Sequence, residues 1–79
     1  MQQTQKGRLI ELINTLELTQ SRFEDATGMS RGSISHLNGE PTARMLHKIG
    51  AAFPEVNINW IITGNGKKFL VDNKVLTNK

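Results

Sequence analysis

Glycine and proline punctuate this chain at intervals that leave room for short helices and little else. Gly28, Gly39, Pro41, Pro54 and Gly64 each close or open a segment, because glycine suits a left-handed C-terminal position and proline cannot continue a helix. Thr19, Ser30, Thr42 and Asn57 stand ahead of the intervening segments. Side chains of this kind accept hydrogen bonds from the free backbone N–H groups of a first helical turn. Within the segments the apolar residues recur at helical spacing. In the run from Gly7 to Leu18, Leu9, Ile13 and Leu16 fall at i, i+4 and i+7 with Leu12 beside them, while Glu11, Asn14 and Glu17 take the other side. This predicts a first helix over roughly residues 4–16. A second runs from Thr19 to Gly28 with Phe23 and Ala26 at i and i+3 and Thr27 close by, and a third from Ser30 to Gly39 with Ile34 and Leu37. The fourth, capped by Thr42, carries the stripe Met45, Leu46, Ile49 and Phe53 and ends before Pro54. A fifth, capped by Asn57, holds Ile58, Trp60, Ile61 and Ile62 and closes at Gly64. Asn65-Gly66 reads as a turn, with a short extended stretch over residues 67–71 and a frayed end. The expected fold is therefore all-α: a compact five-helix domain over residues 1–70, followed by a tail over 71–79.

A chain of 79 residues is one domain's worth, and a domain of that size buries only about 60 to 65% of the surface its unfolded chain exposes. No cysteine is present, so packing must hold the core without disulfides or thiolate metal sites. No apolar run approaches the roughly 20 residues that span a bilayer. The stretch Met1-Gln2-Gln3-Thr4-Gln5 lacks the apolar core of a signal peptide, so a cytoplasmic protein with no membrane partner is expected. The formal net charge is +3. Residues 1–39 balance Lys6, Arg8, Arg22 and Arg31 against Glu11, Glu17, Glu24 and Asp25, so the excess lies in residues 40–79. A mild basic excess is compatible with nucleic acid without demanding it.

The second and third helices, joined by a tight turn at Gly28, fit a helix-turn-helix spanning about Thr19 to Gly39. The second helix of that motif docks in the DNA major groove. Ile34 and Leu37 must hold it to the core, which turns Arg31, Gly32, Ser35 and His36 outward. Arg31 is the best candidate for direct readout, since its fork can bond guanine N7 and O6 together. Ser35 and His36 can bond bases or phosphates less selectively. Gly32 offers no side chain, which suggests close backbone approach to DNA and a share of the discrimination left to DNA shape. The plainer alternative is a helical hairpin with a solvated polar face.

The ordered set Gln20, Phe23, Gly28, Ser30, Ile34 and Asn38-Gly39, with Leu9, Leu16, Pro41, Leu46, Ile49 and Phe53 around it, resembles the lambda-repressor and Cro-like helix-turn-helix family, also called the xenobiotic-response-element family. The string NINWIITGNG is similar to the W-L-x-T-G-x-G ending of phage-type and bacterial repressors in that family. The resemblance covers about residues 6–70. It implies that Gln20 contacts a phosphate at the groove edge and that Arg31, Gly32, Ser35 and His36 form the recognition surface. It further implies that Ser33, Asn38 and Arg44 touch the duplex backbone. One position departs from the family pattern: Glu24 stands where a small residue, usually Ala, lets the two helices pack closely. A carboxylate there either disturbs that packing or caps the following helix through its free N–H groups.

Other chemistry is poorly served. His36 and His47 have no Cys, Asp or Glu partner at ligand spacing, so no metal is expected. Ser33, Ser35 and His36 lack an oxyanion site and a third group, so an enzyme is not expected, and nothing calls for a cofactor. Gly64-Asn65-Gly66-Lys67 is too short for a phosphate loop and follows a helix. Trp60 has two readings: core, packed against the first helix, or interface. Four apolar residues on so short a fifth helix exceed what one face can bury, which favours a homodimer contact through the Trp60, Ile61 and Ile62 region. The leading expectation is a sequence-specific transcriptional repressor that binds a palindromic double-stranded operator as a dimer. The competing one is a protein-interaction module, such as an antitoxin or phage adaptor, docking a partner through the fifth helix and tail.

Overall fold

Four helices form where cap chemistry and apolar spacing agree. The structure, a computed structural model, describes residues 4–70. Helix α1 spans Gln5–Thr15, α2 Gln20–Thr27, α3 Ala43–Ala52 and α4 Ile58–Thr63. Each starts on a polar cap in extended conformation: the side chains of Thr4, Thr19, Thr42 and Asn57 accept from the backbone N–H of Gly7, Arg22, Met45 and Trp60. Helices α2 and α4 end on the left-handed glycines Gly28 and Gly64, with φ of 80° and 81°. No described residue lies in a β-strand. The extended stretch after Gly66 makes one isolated antiparallel bridge, Val56 to Phe69. Val71 and the tail expected over 71–79 lie outside the described residues, and no helix among those described is long and apolar enough to cross a membrane.

The third of the five expected helices does not form an α-helix. Residues 31–36 are a succession of turns, and the physical reasons are local. Gly32 takes φ of +87°, outside the right-handed helical region. The Ser33 hydroxyl donates to Ser30 O at 2.6 Å and the Ser35 hydroxyl to Gly32 O at 3.3 Å. These short side chains compete with the helical ladder for backbone carbonyls. Two backbone bonds, Ser33 N–H to Ser30 O and Leu37 N–H to Ile34 O, close over three residues. Only His36 N–H to Gly32 O closes over four.

One core unites the elements. Leu9, Leu12 and Ile13 of α1, Phe23 of α2, Met29 and Ile34 of the following segment, Ile49 of α3, Val56, and Trp60 and Ile61 of α4 are all buried. Phe23 lies parallel to Phe53, ring centroids 5.6 Å apart and planes 2° apart. Of the residues read onto the inner side of α2, Ala26 is exposed, while Phe23 and Thr27 are buried, the Thr27 hydroxyl donating to Phe23 O at 2.8 Å. The C-terminal stretch is fastened to α1 through Lys68. Its ammonium lies 2.8 Å from Glu11, 3.0 Å from the Thr15 hydroxyl and 5.5 Å from the Trp60 ring centroid. From α1, Arg8 Nε and Nη2 donate to the carbonyls of Ile61 and Ile62 near the end of α4, where a cation is favoured. Trp60 and Ile61 therefore belong to the core, and Ile62, 40% exposed, is what remains of the expected three-residue interface.

Candidate nucleic-acid interface

Helix α2 and the segment after it are built as a unit with an anchored inside and a polar outside. The Thr19 hydroxyl fixes the start of α2, accepting from Arg22 N–H at 3.1 Å. At its end Gly28 reverses the chain, and Met29 N–H returns to Glu24 O at 2.9 Å. Lys48, from α3, donates to Gly28 O at 3.3 Å, and Lys6, from α1, donates to Leu37 O at 3.0 Å. The chain from Gly28 to Leu37 is thus tied at both ends to the rest of the domain.

Its middle is held by Glu24. That side chain is 2% exposed, and its two oxygens accept from Gly32 N–H and Ile34 N–H, both at 3.0 Å. Of the two roles open to Glu24 from sequence, the capping contact is the one made, although it is made to a run of turns rather than to an α-helix. The bonds satisfy two backbone donors that no helical ladder could serve at this point. Ile34, fully buried, pins the same segment to the core.

Outward, the segment presents Arg31, Ser35 and His36, and Asn38 follows it; all four are exposed. Gly32 and Ser33 are half-buried. Two of the anticipated recognition residues meet at the Gly32 carbonyl, which receives His36 N–H and His36 Nδ1, both at 2.9 Å, and the Ser35 hydroxyl at 3.3 Å, whereas Arg31 bonds Asp25. A carbonyl can only accept, so the His36 ring contact requires a hydrogen on Nδ1. Gln20 opens α2, half-buried, and Arg44 lies exposed in the first turn of α3; both sit on other elements. A cation in a first helical turn is opposed by the helix dipole, so helix stability does not account for Arg44.

The fold supplies its own reason for glycine at position 32, separate from the close approach to DNA expected from sequence. Its φ lies in the left-handed region, and a Cβ there would meet His36 Nδ1 at 3.0 Å. Gly32→Ala should therefore cost about 1–2 kcal/mol from backbone conformation alone and displace the His36 ring. Urea unfolding checks the first effect and His36 ring chemical shifts the second.

Three residues of this unit were not legible as such in the sequence: Lys6, Lys48 and Asp25. Asp25 forms a two-bond pair with Arg31, Nε to Oδ1 at 3.1 Å and Nη2 to Oδ2 at 2.9 Å. The hydrogen bonds from Arg31 hold the Asp25 carboxyl below its ordinary value; partial desolvation opposes this, and the charges of Arg31 and Arg22 add to the lowering. The same bonds raise Arg31 further. Because the folded carboxyl is depressed, the pair is intact above the usual carboxylate range and is lost as pH falls through the lowered value. An NMR titration should place the Asp25 midpoint below that of an ordinary aspartate. Arg31→Ala should move it upward.

Among the described residues no group of three or more His, Cys, Asp or Glu side chains is placed to hold a metal ion. Compared with protein families, with curated proteins and with solved structures, the chain finds no match in any of the three.

Proposed function

We propose that this chain is a lambda-repressor-like helix-turn-helix domain that binds double-stranded DNA sequence-specifically and acts as a transcriptional repressor. In this reading the segment from Ser30 to Leu37 stands in the place of the recognition helix, completing a five-segment plan with the four α-helices. The observation that carries it is the construction of that segment. Glu24 and Ile34 clamp its backbone from inside, while Arg31, Ser35 and His36 face solvent with no share in the core. Arg31 would read a base edge, Ser35 and His36 bases or phosphates, and Gln20, Ser33, Asn38 and Arg44 the duplex backbone. Ser33 enters this set at a cost, because its hydroxyl is already given to Ser30 O.

One copy would read one half-site, and two copies would place their reading segments about 34 Å apart, one helical turn. Ile62 offers exposed apolar surface on α4 for that pairing. A protein-interaction module is less well supported, because Trp60 and Ile61 are spent on the core and Phe69 is half-buried in its bridge to Val56.

Selection from a random duplex pool, followed by titration across a salt series, tests the proposal. The expected result is an enriched sequence with two related half-sites. Arg31→Ala should weaken binding to it roughly 5- to 150-fold with altered base preference, and Gln20→Ala should weaken all duplexes alike. No enrichment over random DNA at any salt overturns the proposal.

A further inference from the structure

We propose that Asp25 is a positioning residue for base reading, gripping one edge of the Arg31 fork so that the other edge is presented to guanine. This rests on the DNA-reading function proposed above. A guanidinium has two edges able to make paired hydrogen bonds, Nε with Nη2 and Nη1 with Nη2. Asp25 takes the first. Among the described residues Nη1 has no partner, and Nη2 keeps its second hydrogen, so the terminal edge is complete. That edge offers the paired donors that guanine O6 and N7 accept together.

Stability does not explain the pair. Its two side chains are 67% and 57% exposed, and ion pairs in that setting contribute little to folding. Asp25 also lies near the C-terminal end of α2, where the helix dipole disfavours a carboxylate. A bidentate grip does restrict a long side chain that would otherwise sample many rotamers, so ordering is done before DNA arrives. Its negative charge offsets that of Arg31, which weakens attraction to phosphate anywhere along a duplex. Both effects act in one direction: Asp25 lowers indiscriminate binding and raises discrimination.

The test compares the wild-type chain with Asp25→Asn, each with Arg31 intact and with Arg31→Ala. All four are titrated against the selected duplex and a scrambled one. With Arg31 intact, Asp25→Asn should reduce the selected-to-scrambled affinity ratio roughly tenfold, with the loss confined to guanine positions and scrambled binding equal or tighter. With Arg31→Ala, the same substitution should leave the ratio unchanged. In the free protein, 15N relaxation should report an ordered Arg31 Nε–H in the wild type and a mobile one in Asp25→Asn, with the melting temperature unaltered. An unchanged ratio and an equally ordered Nε–H in Asp25→Asn would overturn the inference while leaving DNA reading intact, as would an equal loss of ratio in the Arg31→Ala background. A wild-type chain that selects no sequence overturns the DNA reading, and this inference with it.

Discussion

Glu24→Ala should destabilise the domain by about 2–4 kcal/mol, lowering its melting temperature by roughly 10–25 °C. Two charge-assisted hydrogen bonds are lost together, those to Gly32 N–H and Ile34 N–H. Each is worth about 1.5–3 kcal/mol, and the sum is offset by the cost of keeping a carboxylate buried. The Ile34 donor is itself buried, so its loss of a partner is not fully repaired by water. Glu24→Gln keeps the volume and one acceptor oxygen but points an amide N–H₂ at the second donor, so it should recover about half of the loss. Under the proposed DNA-reading function the consequence is larger than the melting shift conveys, because the segment carrying Arg31, Ser35 and His36 loses its internal anchor. Selected-duplex binding should fall even at temperatures where the variant is fully folded by circular dichroism. A Glu24→Ala protein that melts within about 3 °C of wild type would show that the carboxylate does not hold the segment.

Phe23→Ala should cost about 3–5 kcal/mol. That is a large share of the stability of a domain this small. Phe23 is wholly buried and lies in parallel contact with Phe53, so truncation opens a cavity and removes a ring pair together. Phe53 is half-buried at the end of α3, and its truncation should cost roughly half as much, since less of it leaves water on folding. Phe23→Leu, which keeps most of the volume, should cost about 1.5 kcal/mol. Chemical denaturation of the three variants checks the order. Equal losses at Phe23 and Phe53 would mean that the ring pair, rather than the burial of Phe23, carries the effect.

Residues 23 and 24 divide the labour of α2. Phe23 turns one side of the helix to the core and α3, and Glu24 holds the segment that follows. Only the first was readable from spacing. An aromatic three residues before Ala26 marks an apolar stripe, and here the tertiary structure kept Phe23 and the neighbouring Thr27 inside and left Ala26 exposed. A carboxylate, by contrast, does not declare its partner. The family pattern drew attention to Glu24 as out of place, and its capping contact was one of two roles open to it. Asp25 and Arg31 gave no comparable signal, because a separation of six residues matches neither of the i, i+3 and i, i+4 rules for helical neighbours.

The turn and helix ends were written in the chain itself. Thr19, Thr42 and Asn57 cap the helices expected of them, and Gly28 and Gly64 close theirs, because those bonds close within three or four residues and involve only the side chain and its neighbours. Helix α1 was legible for the same reason, from the spacing of Leu9, Leu12 and Ile13. The segment after Gly28 was not. Ile34 and Leu37 sit at a separation that an α-helix and a run of tight turns both satisfy, so periodicity could not choose between them. The choice fell to the left-handed Gly32 and to a carboxylate eight and ten residues earlier. The same holds for Trp60 and Ile61. Four apolar residues on a six-residue helix can be core or interface, and what decided was the packing of α4 against α1, secured by Arg8 and Lys68 across 53 residues of chain. Sequence determined where short helices begin and end, because that chemistry is local. Which polar groups meet, and which apolar residues remain outside, depended on contacts that exist only after the helices have packed.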